Sequence, residues 1–256
     1  MGPCLLACFG RQPLSSPSRK DPSMKNPTTH HDAQVTSEFD QMRSSGGGER
    51  GPILVELFSS QGCATSPEAE LLISRLGRGD FKLDVPVIFL AFHVDYWDYL
   101  GWKDPFGSSQ WTVRQKAYVE ALRLDTMFTP QVVVQGRAQC VGIDDDAILS
   151  NITSAVRFPA PTLQATFKRP SQDTLKVCFK GALRTKVDSE GVDVMVALYE
   201  NGLVTNCSKG DNKDLVLSNN YVVRRLDKLC NVKDISAKKT ITGTLNFSLW
   251  EVPFKY

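Results

Sequence analysis

The sequence predicts an α/β fold for residues 52–157 and a small β-sandwich-like domain for residues 160–256. In the first range, apolar runs of strand length alternate with segments whose apolar residues recur at helical spacing. In the second range, short strand-like segments are separated by Gly, Asn and Asp turns, and helical periodicity is absent. The segment "FPAP" at 158–161 separates the two patterns and is typical of a linker.

Two buried strands and a helix open the first range. The segments "ILVELF" (53–58) and "VPVIFLAFHV" (85–94) are short apolar runs that predict buried strands. Between them lies the apolar face of a predicted helix, formed by Ala69, Leu72, Ile73 and Leu76. Because a helix connects the two strands, we expect them to pair in parallel through a right-handed crossover.

Two further helices and a hairpin complete this range. Residues 108–124 are predicted to be helical. The inward face of this helix is predicted to contain Val113, Ala117, Tyr118, Ala121 and Leu122. Residues 131–143 predict a hairpin that turns at Gln135-Gly136, and residues 144–156 predict a third helix. The resulting order, β-α-β-α-β-β-α, is the element order of a thioredoxin-like domain.

The second range is predicted to contain about five to seven strands. They correspond to the segments "TLQATFKR", "TLKVCFKGAL", "VDVMVALYENGLVTN", "NNYVVRRL" and "KTITGTLNFSLWEV". This range is predicted to form a separate all-β domain that docks on the first. Its cysteines, Cys178, Cys207 and Cys230, are interpreted as packing or surface residues because no spacing pairs them.

Residues 1–50 are predicted to form a disordered arm, because five prolines, a triple glycine and few aliphatic residues leave little apolar surface to bury. No segment reaches the length of a membrane span. Seven cysteines at irregular spacing, without a secretory signal, favour a reducing compartment, and we predict a cytoplasmic location. A plastid or mitochondrial transit peptide in the Ser- and Pro-rich N-terminus is the alternative. The net charge of +2 is too small to indicate nucleic-acid binding.

Cys63, in "SSQGCATSP" (59–67), is the first candidate catalytic residue. It follows a predicted strand and precedes a predicted helix. Unpaired backbone N–H groups and the helix dipole stabilise a thiolate at such a place. The alternative is that Cys63 is a small apolar residue in a tight turn.

Ser66 stands where a second cysteine would complete a redox motif. Two cysteines at this spacing allow the second to release a mixed disulfide, which a serine hydroxyl cannot do. The sequence therefore predicts monothiol chemistry with glutathione or a protein thiol, resolved by an outside thiol. Ser66 is a candidate hydrogen-bond partner of the Cys63 thiolate. Cys140, on the last hairpin strand, is a more distant candidate for a resolving thiol.

Pro130, in "FTPQ" (128–131), is a further candidate site residue. In a thioredoxin-like fold, the proline at this place is cis and faces the cysteine. Thr129 would then line the site, and Thr129 and Gln131 are candidate substrate-binding residues. The alternative is an ordinary proline at the start of a strand.

The segment "FHVDYWDYLGWKDPFG" (92–107) follows the second predicted strand, at the edge where open α/β sheets place their sites. His93 is a candidate catalytic residue, because a histidinium near Cys63 would lower the pKa of the thiol. Asp95 and Trp97 are candidate substrate-binding residues. As alternatives, His93 is a neutral core histidine, and the aromatic residues form a lid over the core. No set of ligands is spaced for a metal site.

Several stretches resemble an uncharacterised thioredoxin-like family, known as domain of unknown function twelve-twenty-three. They are "VELFSSQGC", "FHVDYWDYLGWKDPF", "FTPQVVVQGRAQCVG" and, later, "GLVTN" with "NNYVVRRL". The resemblance covers about residues 52–250. It implies that Cys63 matches the first motif cysteine and that Pro130 is the site proline. Many members carry "QGCSSCP" where this chain has "QGCATSP", so dithiol activity is not implied. Members also continue into another strand, which leaves open whether a final strand is missing after Trp250.

Three functions are compatible with these residues. The leading hypothesis is a thioredoxin-like protein with monothiol activity at Cys63, which binds or transfers glutathione or a client thiol. The second is a non-catalytic binding module whose groove between Pro130, His93 and the aromatic segment holds a peptide or partner. The third is iron–sulfur ligation by Cys63 together with glutathione. Apart from glutathione, no cofactor is predicted.

Overall fold

The computed structural model describes residues 5–11, 50–183, 187, 191–232 and 240–248, with residues 5–11 described by their backbone. These residues form a mixed α/β structure. Its strands are β1 (Leu5–Arg11), β2 (Ile53–Ser59), β3 (Val87–His93), β4 (Gln131–Val134), β5 (Ala138–Val141), β6 (Thr162–Ser171), β7 (Thr174–Ala182), β8 (Val192–Glu200), β9 (Leu203–Asn206), β10 (Val216–Asn219), β11 (Val222–Val232) and β12 (Thr240–Ser248). Its α-helices are α1 (Ser66–Arg78), α2 (Ser109–Ala121) and α3 (Asp145–Ser154).

The predicted strand–helix order of residues 53–154 is confirmed, and these strands lie side by side. β2 and β3 pair in parallel, from Ile53 opposite Val87 to Ser59 opposite His93. β4 pairs antiparallel with β2, and β5 pairs antiparallel with β4. The hairpin turns at Gln135 and Gly136 as predicted, and both residues have positive φ angles of 52° and 65°. This backbone matches the right-handed twist of the flanking strands.

The C-terminal strands extend the same sheet, which differs from the prediction of a separate β domain for residues 160–256. The seven-stranded sheet has the order β1-β8-β11-β3-β2-β4-β5. β11 joins β3 through Val222 opposite Ala91, whose N–H donates to the carbonyl of Tyr221 at 2.8 Å. The physical reason is the open edge of β3: its buried backbone groups need hydrogen-bond partners, and β11 supplies them there.

The other C-terminal strands form two smaller sheets. β12, β7 and β6 form a three-stranded sheet, and β9 and β10 form a hairpin. The three-stranded sheet packs on β8, with a shared core of Val177, Phe179, Val196 and Phe247. The sequence predicted a β-sandwich-like arrangement within residues 160–256. The structure has two packed layers here, but one of them is the β8 side of the seven-stranded sheet. Trp250 and the predicted C-terminal strand end lie outside the described residues.

Within the predicted disordered arm, the structure describes Leu5–Arg11, and this stretch differs from the prediction. It forms β1 and pairs in parallel with β8, from Leu5 opposite Val194 to Arg11 opposite Glu200. β8 would otherwise end the sheet with a row of unpaired backbone groups. The rest of residues 1–49 lies outside the described part of the chain.

The predicted apolar face is confirmed for α1 and holds only in part for α2, where Tyr118 packs against the core but Val113 and Ala121 are exposed. All four predicted residues of α1 are buried. In α2, Val113 is 68% exposed, and the buried residues are Trp111 and Gln115. The helix docks through polar contacts: Arg114 donates from Nε to Glu56 at 2.7 Å, and this carboxylate is fully buried on β2. A buried ion pair of this kind has no signature in hydrophobic periodicity.

Within the described ranges, no helix has the length and apolar character needed to cross a membrane.

Candidate functional site

Cys63 lies in the short loop between the end of β2 and the start of α1, as predicted. Cys63 is 6% exposed, and Ser66 is the first residue of α1. The N–H of Cys63 donates to the carbonyl of Ser60 at 3.1 Å, and the N–H of Ser66 donates to the carbonyl of Cys63 at 3.3 Å. The thiol is therefore held at the positive end of a helix of 13 residues.

Polar groups from two parts of the chain surround the sulfur of Cys63. Its Sγ lies 3.5 Å from the hydroxyl of Thr65 and 3.5 Å from the carbonyl oxygen of Thr129. Burial acts to raise the pKa of the Cys63 thiol. Hydrogen bonds from the side chains of Ser66, Thr129 and Thr65 outweigh burial, so the pKa is lowered. The thiol is thus more acidic than an ordinary cysteine.

The hydroxyls of Ser66 and Thr129 are both oriented by other groups. Ser66 Oγ accepts from the N–H of Ser60 at 3.2 Å. Thr129 Oγ1 accepts from the indole N–H of Trp97 at 2.7 Å. Each hydroxyl also has one hydrogen to donate, and hydrogen bonds from both side chains act to lower the pKa of the Cys63 thiol. Ser66 therefore has a defined place beside the thiol, although it cannot form a disulfide.

Pro130 follows a cis peptide bond from Thr129, as predicted, and its part in catalysis stays a prediction. The carbonyl of Pro130 accepts from the N–H of Gly142 at 2.8 Å. A Cβ at Gly142 would lie 2.9 Å from the Cβ of Pro130 and 3.2 Å from that of Ala69. The glycine lets the last hairpin approach closely and keeps Pro130 and Thr129 beside Cys63.

The side chain of Gln131 does not face a binding surface, in contrast to its predicted role. It is fully buried, accepts from Gln115 Nε2 at 3.0 Å, and donates to Gln139 at 3.3 Å. All four residues of β4 are buried, so the polar side chain of Gln131 is paired with other side chains inside the molecule. Asp95 accepts from the hydroxyl of Thr112 at 2.6 Å and so ties the aromatic segment to α2. Its predicted contact with substrate stays a prediction.

His93 ends β3 as predicted, but its partners are two carboxylates. Its ring is fully buried, with Nδ1 2.8 Å from Asp104 and Nε2 3.2 Å from Glu70. Burial acts to lower the pKa of His93, but the negative charges of Asp104 and Glu70 raise it to about 10. The causes that lower the pKa of the Cys63 thiol are hydrogen bonds from Ser66, Thr129 and Thr65, and a charge on His93 is not one of them. A pKa raised to about 10 favours the protonated ring over the predicted neutral alternative at neutral pH.

Asp104 is the residue that links His93 to the cysteine loop. The carboxylate accepts from His93 and from the backbone N–H groups of Gln61, at 2.7 Å, and Phe106, at 2.9 Å. Burial acts to raise the pKa of Asp104, but the His93 charge and these hydrogen bonds lower it. Gln61 is two residues before Cys63, so this buried pair fixes the backbone that leads into the thiol.

The side chain of Gln61 reaches into the C-terminal half of the chain. Its Nε2 donates to Asn219 at 2.8 Å and to Thr205 at 3.1 Å, and its Oε1 accepts from the indole N–H of Trp102 at 3.1 Å. Sequence reasoning missed Gln61, Asp104, Asn219 and Thr205. The signal was present: these residues lie in the quoted stretches "SSQGC", "GWKDPF", "NNYVV" and "GLVTN".

Trp97 covers the glycine that precedes Cys63. A Cβ at Gly62 would lie 3.0 Å from the Cβ of Trp97 and 3.2 Å from its carbonyl oxygen. The Trp97 ring stacks on Tyr99 at 6.4 Å, and Tyr99 is 77% exposed. Burial raises the pKa of the neighbouring Tyr96 to about 12. Trp97 thus lies between the buried thiol loop and an exposed aromatic side chain.

The other described cysteines are free thiols at separate places. They are Cys140, Cys178, Cys207 and Cys230. Burial raises the pKa of Cys140, which packs beside the core of β2 and α1. The described residues contain no group of three or more His, Cys, Asp or Glu side chains that could hold a metal ion. Burial raises the pKa of Cys140, Cys207 and Cys230, whereas the pKa of Cys63 is lowered.

Fold and site define a mixed α/β protein with an acidic cysteine between a strand end and a helix start, beside a cis-proline. The chain belongs to the family described as protein of unknown function (DUF1223), whose family model matches residues 54–252. This confirms the predicted membership of this uncharacterised family.

The chain is also similar to a solved structure, protein AGR_C_4864 from Agrobacterium tumefaciens. The two share 24% sequence identity, with 80% of this chain and 81% of that chain covered and a TM-score of 0.54. At this identity the similarity shows the fold alone. No curated protein matches the chain.

Proposed function

We propose that this protein carries out monothiol chemistry at Cys63, forming mixed disulfides with glutathione or with a protein thiol. One observation carries the proposal: the buried sulfur of Cys63 lies 3.5 Å from the hydroxyl of Thr65 and 3.5 Å from the carbonyl of Thr129, beside the hydroxyls of Ser66 and Thr129, which are each oriented by an N–H donor. Donors oriented in advance stabilise a thiolate without reorganisation. The thiolate is the nucleophilic form of cysteine.

We further propose that residues 53–154 form a thioredoxin-like core. The order of strands and helices, a cysteine at the start of α1 and the cis peptide bond before Pro130 support this assignment. In such a core, Cys63 attacks and the backbone at Thr129 lies beside an extended substrate. The lowered pKa of the Cys63 thiol is consistent with this role.

The proposed reaction is a thiol–disulfide exchange. The Cys63 thiolate attacks one sulfur of glutathione disulfide or of a protein mixed disulfide. A new S–S bond forms, the old one breaks, and the other sulfur leaves as a thiolate that takes up a proton from water. Ser66 cannot attack the new disulfide, so a thiol from solution must release Cys63. A reducing compartment such as the predicted cytoplasm contains such thiols.

The test is incubation of the reduced protein with glutathione disulfide, followed by peptide mapping by mass spectrometry. We expect one glutathionyl group, on Cys63, and its removal by added reduced glutathione. Cys63→Ser should abolish this adduct, and Cys140→Ser, which removes a thiol of raised pKa, should leave it unchanged. An adduct spread evenly over the cysteines, or none, would overturn the proposal.

The second candidate function is a non-catalytic binding module. It is favoured by the low exposure of Cys63, 6%, beside the 77% exposed ring of Tyr99. A protein that fails to form the glutathione adduct but binds peptides in a manner sensitive to Tyr99→Ala would support this function instead.

A further inference from the structure

Asn212, in the loop between β9 and β10, holds the backbone on both sides of Gly62. Its Nδ2 donates to the carbonyl of Gln61 at 2.8 Å and to the carbonyl of Cys63 at 3.0 Å. The residue is 3% exposed, and it lies 149 positions after Cys63 in the chain. One side-chain amide therefore fixes two peptide groups of the loop that carries the thiol.

The loop around Asn212 is itself well held. The N–H of Cys207 donates to the carbonyl of Leu215 at 2.9 Å, and the N–H of Asp214 donates back to the carbonyl of Cys207 at 2.8 Å. A Cβ at Gly210, which has a φ of 74°, would lie 3.1 Å from the Cβ of Trp102. The loop thus closes on itself and packs against the aromatic segment, which gives the Asn212 amide a fixed position.

The same hairpin holds Gln61 by its side chain, through Thr205 on β9 and Asn219 on β10. The segment 205–219 therefore holds the thiol loop at three points: the backbone carbonyls of Gln61 and Cys63 and the side chain of Gln61. Without the Asn212 amide, the buried carbonyl of Gln61 loses this donor, and among the described residues the carbonyl of Cys63 keeps only the N–H of Ser66. A buried carbonyl without a donor is costly, so the loop would move to find a new partner. A small movement at Gly62 would change the place of the sulfur relative to the hydroxyls of Ser66 and Thr129.

We propose that Asn212 is a positioning residue for Cys63: its amide sets the backbone that places the sulfur 3.5 Å from the hydroxyl of Thr65 and 3.5 Å from the carbonyl of Thr129. The β9–β10 hairpin is in this view a part of the thiol site. The inference rests on the proposed function, because the thiol that Asn212 positions is the proposed nucleophile. Asn212 does not contact the sulfur and takes no part in the exchange itself.

The test uses Asn212→Ala and Asn212→Asp in the full chain. The alanine removes the donor. The aspartate keeps the shape but presents oxygen atoms and a negative charge to two carbonyls. Asn206→Asp, an exposed residue of β9, is the matched control, since it adds the same charge to the same hairpin. Circular dichroism and urea unfolding establish that each variant is folded.

Two measurements are made on each variant. The first is amide hydrogen exchange at Cys63 and Ser66, whose N–H groups are bonded within the loop. We expect exchange about tenfold faster in both Asn212 variants, with strands β2 and β3 unchanged. The second is the pH profile of Cys63 alkylation. We expect the pKa of Cys63 to rise by about one unit in Asn212→Asp, a tenfold loss of thiolate at neutral pH, and by less in Asn212→Ala. The control should match the wild type in both.

The outcomes separate this inference from the proposed function. Loop exchange and the pKa of Cys63 that both stay at wild-type values in a folded Asn212 variant would overturn the positioning role. An ordinary cysteine pKa in the wild type would overturn the proposed function, while faster loop exchange in the variants would still support the positioning role. If Asn212→Ala does not fold, Asn212→Asp carries the test. If neither folds while Asn206→Asp does, Asn212 is a general stability residue and the inference is wrong.

Discussion

Nδ1 of His93 lies 2.8 Å from a carboxylate oxygen of Asp104, and both side chains are fully buried. The same oxygen accepts the N–H of Gln61 at 2.7 Å. One oxygen of Asp104 therefore binds both the His93 ring and the backbone N–H of Gln61, which is two residues before Cys63. His93 therefore stabilises the position of the thiol loop indirectly, by pairing with Asp104.

The stability of the protein should fall in alkaline solution because of His93. Its pKa is raised from 6.5 to about 10 in the folded state. The stabilisation is therefore fully present below the unfolded pKa of 6.5 and is lost as pH rises through about 10. His93→Gln should lower the free energy of unfolding by about 3–5 kcal/mol near neutral pH, because it leaves buried carboxylates without a counter-charge. Urea unfolding at about pH 6 and about pH 10 measures the difference.

The control for this prediction is a variant in which His30 and His31 are both replaced by Gln. These are the other histidines of the chain, and they lie outside the described residues. This variant should keep the alkaline loss of the wild type, whereas His93→Gln should lack it. Equal alkaline losses in His93→Gln and in the wild type would mean that His93 is not a buried cation.

Replacement of Trp97 by Phe should make Cys63 less acidic. The phenyl ring keeps most of the contact with Gly62 but cannot donate to Thr129 Oγ1, so the threonine hydroxyl loses its fixed orientation. We expect the pKa of Cys63 to rise by about half a unit to one unit. Tyr99→Phe, which changes an exposed hydroxyl of the stacked partner, is the control and should not alter the pH profile of alkylation. A Trp97→Phe profile equal to that of the wild type would show that the indole N–H has no part in thiol acidity.

Ser66 should decide between monothiol and dithiol turnover. The wild type should not reduce insulin catalytically, because no second thiol stands at the start of α1. Ser66→Cys should create this activity, and Ser66→Ala should instead raise the pKa of Cys63, since it removes a hydroxyl donor. Turbidity assays with thioredoxin reductase or dithiothreitol measure the first effect. This prediction would be wrong if the wild type showed substantial dithiol turnover and the Cys140→Ser variant retained it.

The contact of α1 with the start of β11 can be tested through Gly77. A Cβ at this position would lie 2.0 Å from the hydroxyl oxygen of Tyr221. Alanine normally favours a helix over glycine by about 1 kcal/mol. Here the clash should reverse the sign, and Gly77→Ala should cost about 1–3 kcal/mol.

In a Tyr221→Leu background the clash is removed, so Gly77→Ala should become neutral or stabilising. Chemical unfolding of the four variants in a double-mutant cycle gives the coupling. Additive effects would contradict the position of the C-terminal half against α1.

The sequence predicted the elements of residues 53–154 because their apolar runs are local. Ala69, Leu72, Ile73 and Leu76 repeat at helical spacing, and all are buried. The face of α2 was not predictable in this way, because Arg114 and Gln115 dock it through polar contacts. Hydrophobic periodicity predicts which apolar residues are buried, but it does not predict buried polar pairs.

The pairing of strands that are far apart in the chain could not be predicted from the sequence either. Nothing local in "NNYVVRRL" indicates that β11 pairs with β3, and this pairing joins the two halves that composition separates. For the site, Cys63, Ser66 and Pro130 could be placed from one motif and one element order. Gln61 and Asp104 lie within the stretches that resemble the family, but their contacts could not be predicted, because Gln61 is 43 positions from Asp104 and 151 positions from Asn212.

The pH dependence of Cys63 alkylation tests the central claim most directly. The reduced protein is reacted with iodoacetamide over a range of pH, and modification of Cys63 is followed by peptide mapping, with Cys63→Ser as the blank. Thiolate stabilised by Ser66, Thr129 and Thr65 should give an apparent pKa below the ordinary value of about 8.5, with alkylation already fast at neutral pH. An apparent pKa at or above about 8.5 would contradict the account and leave Cys63 as a structural residue of a binding protein.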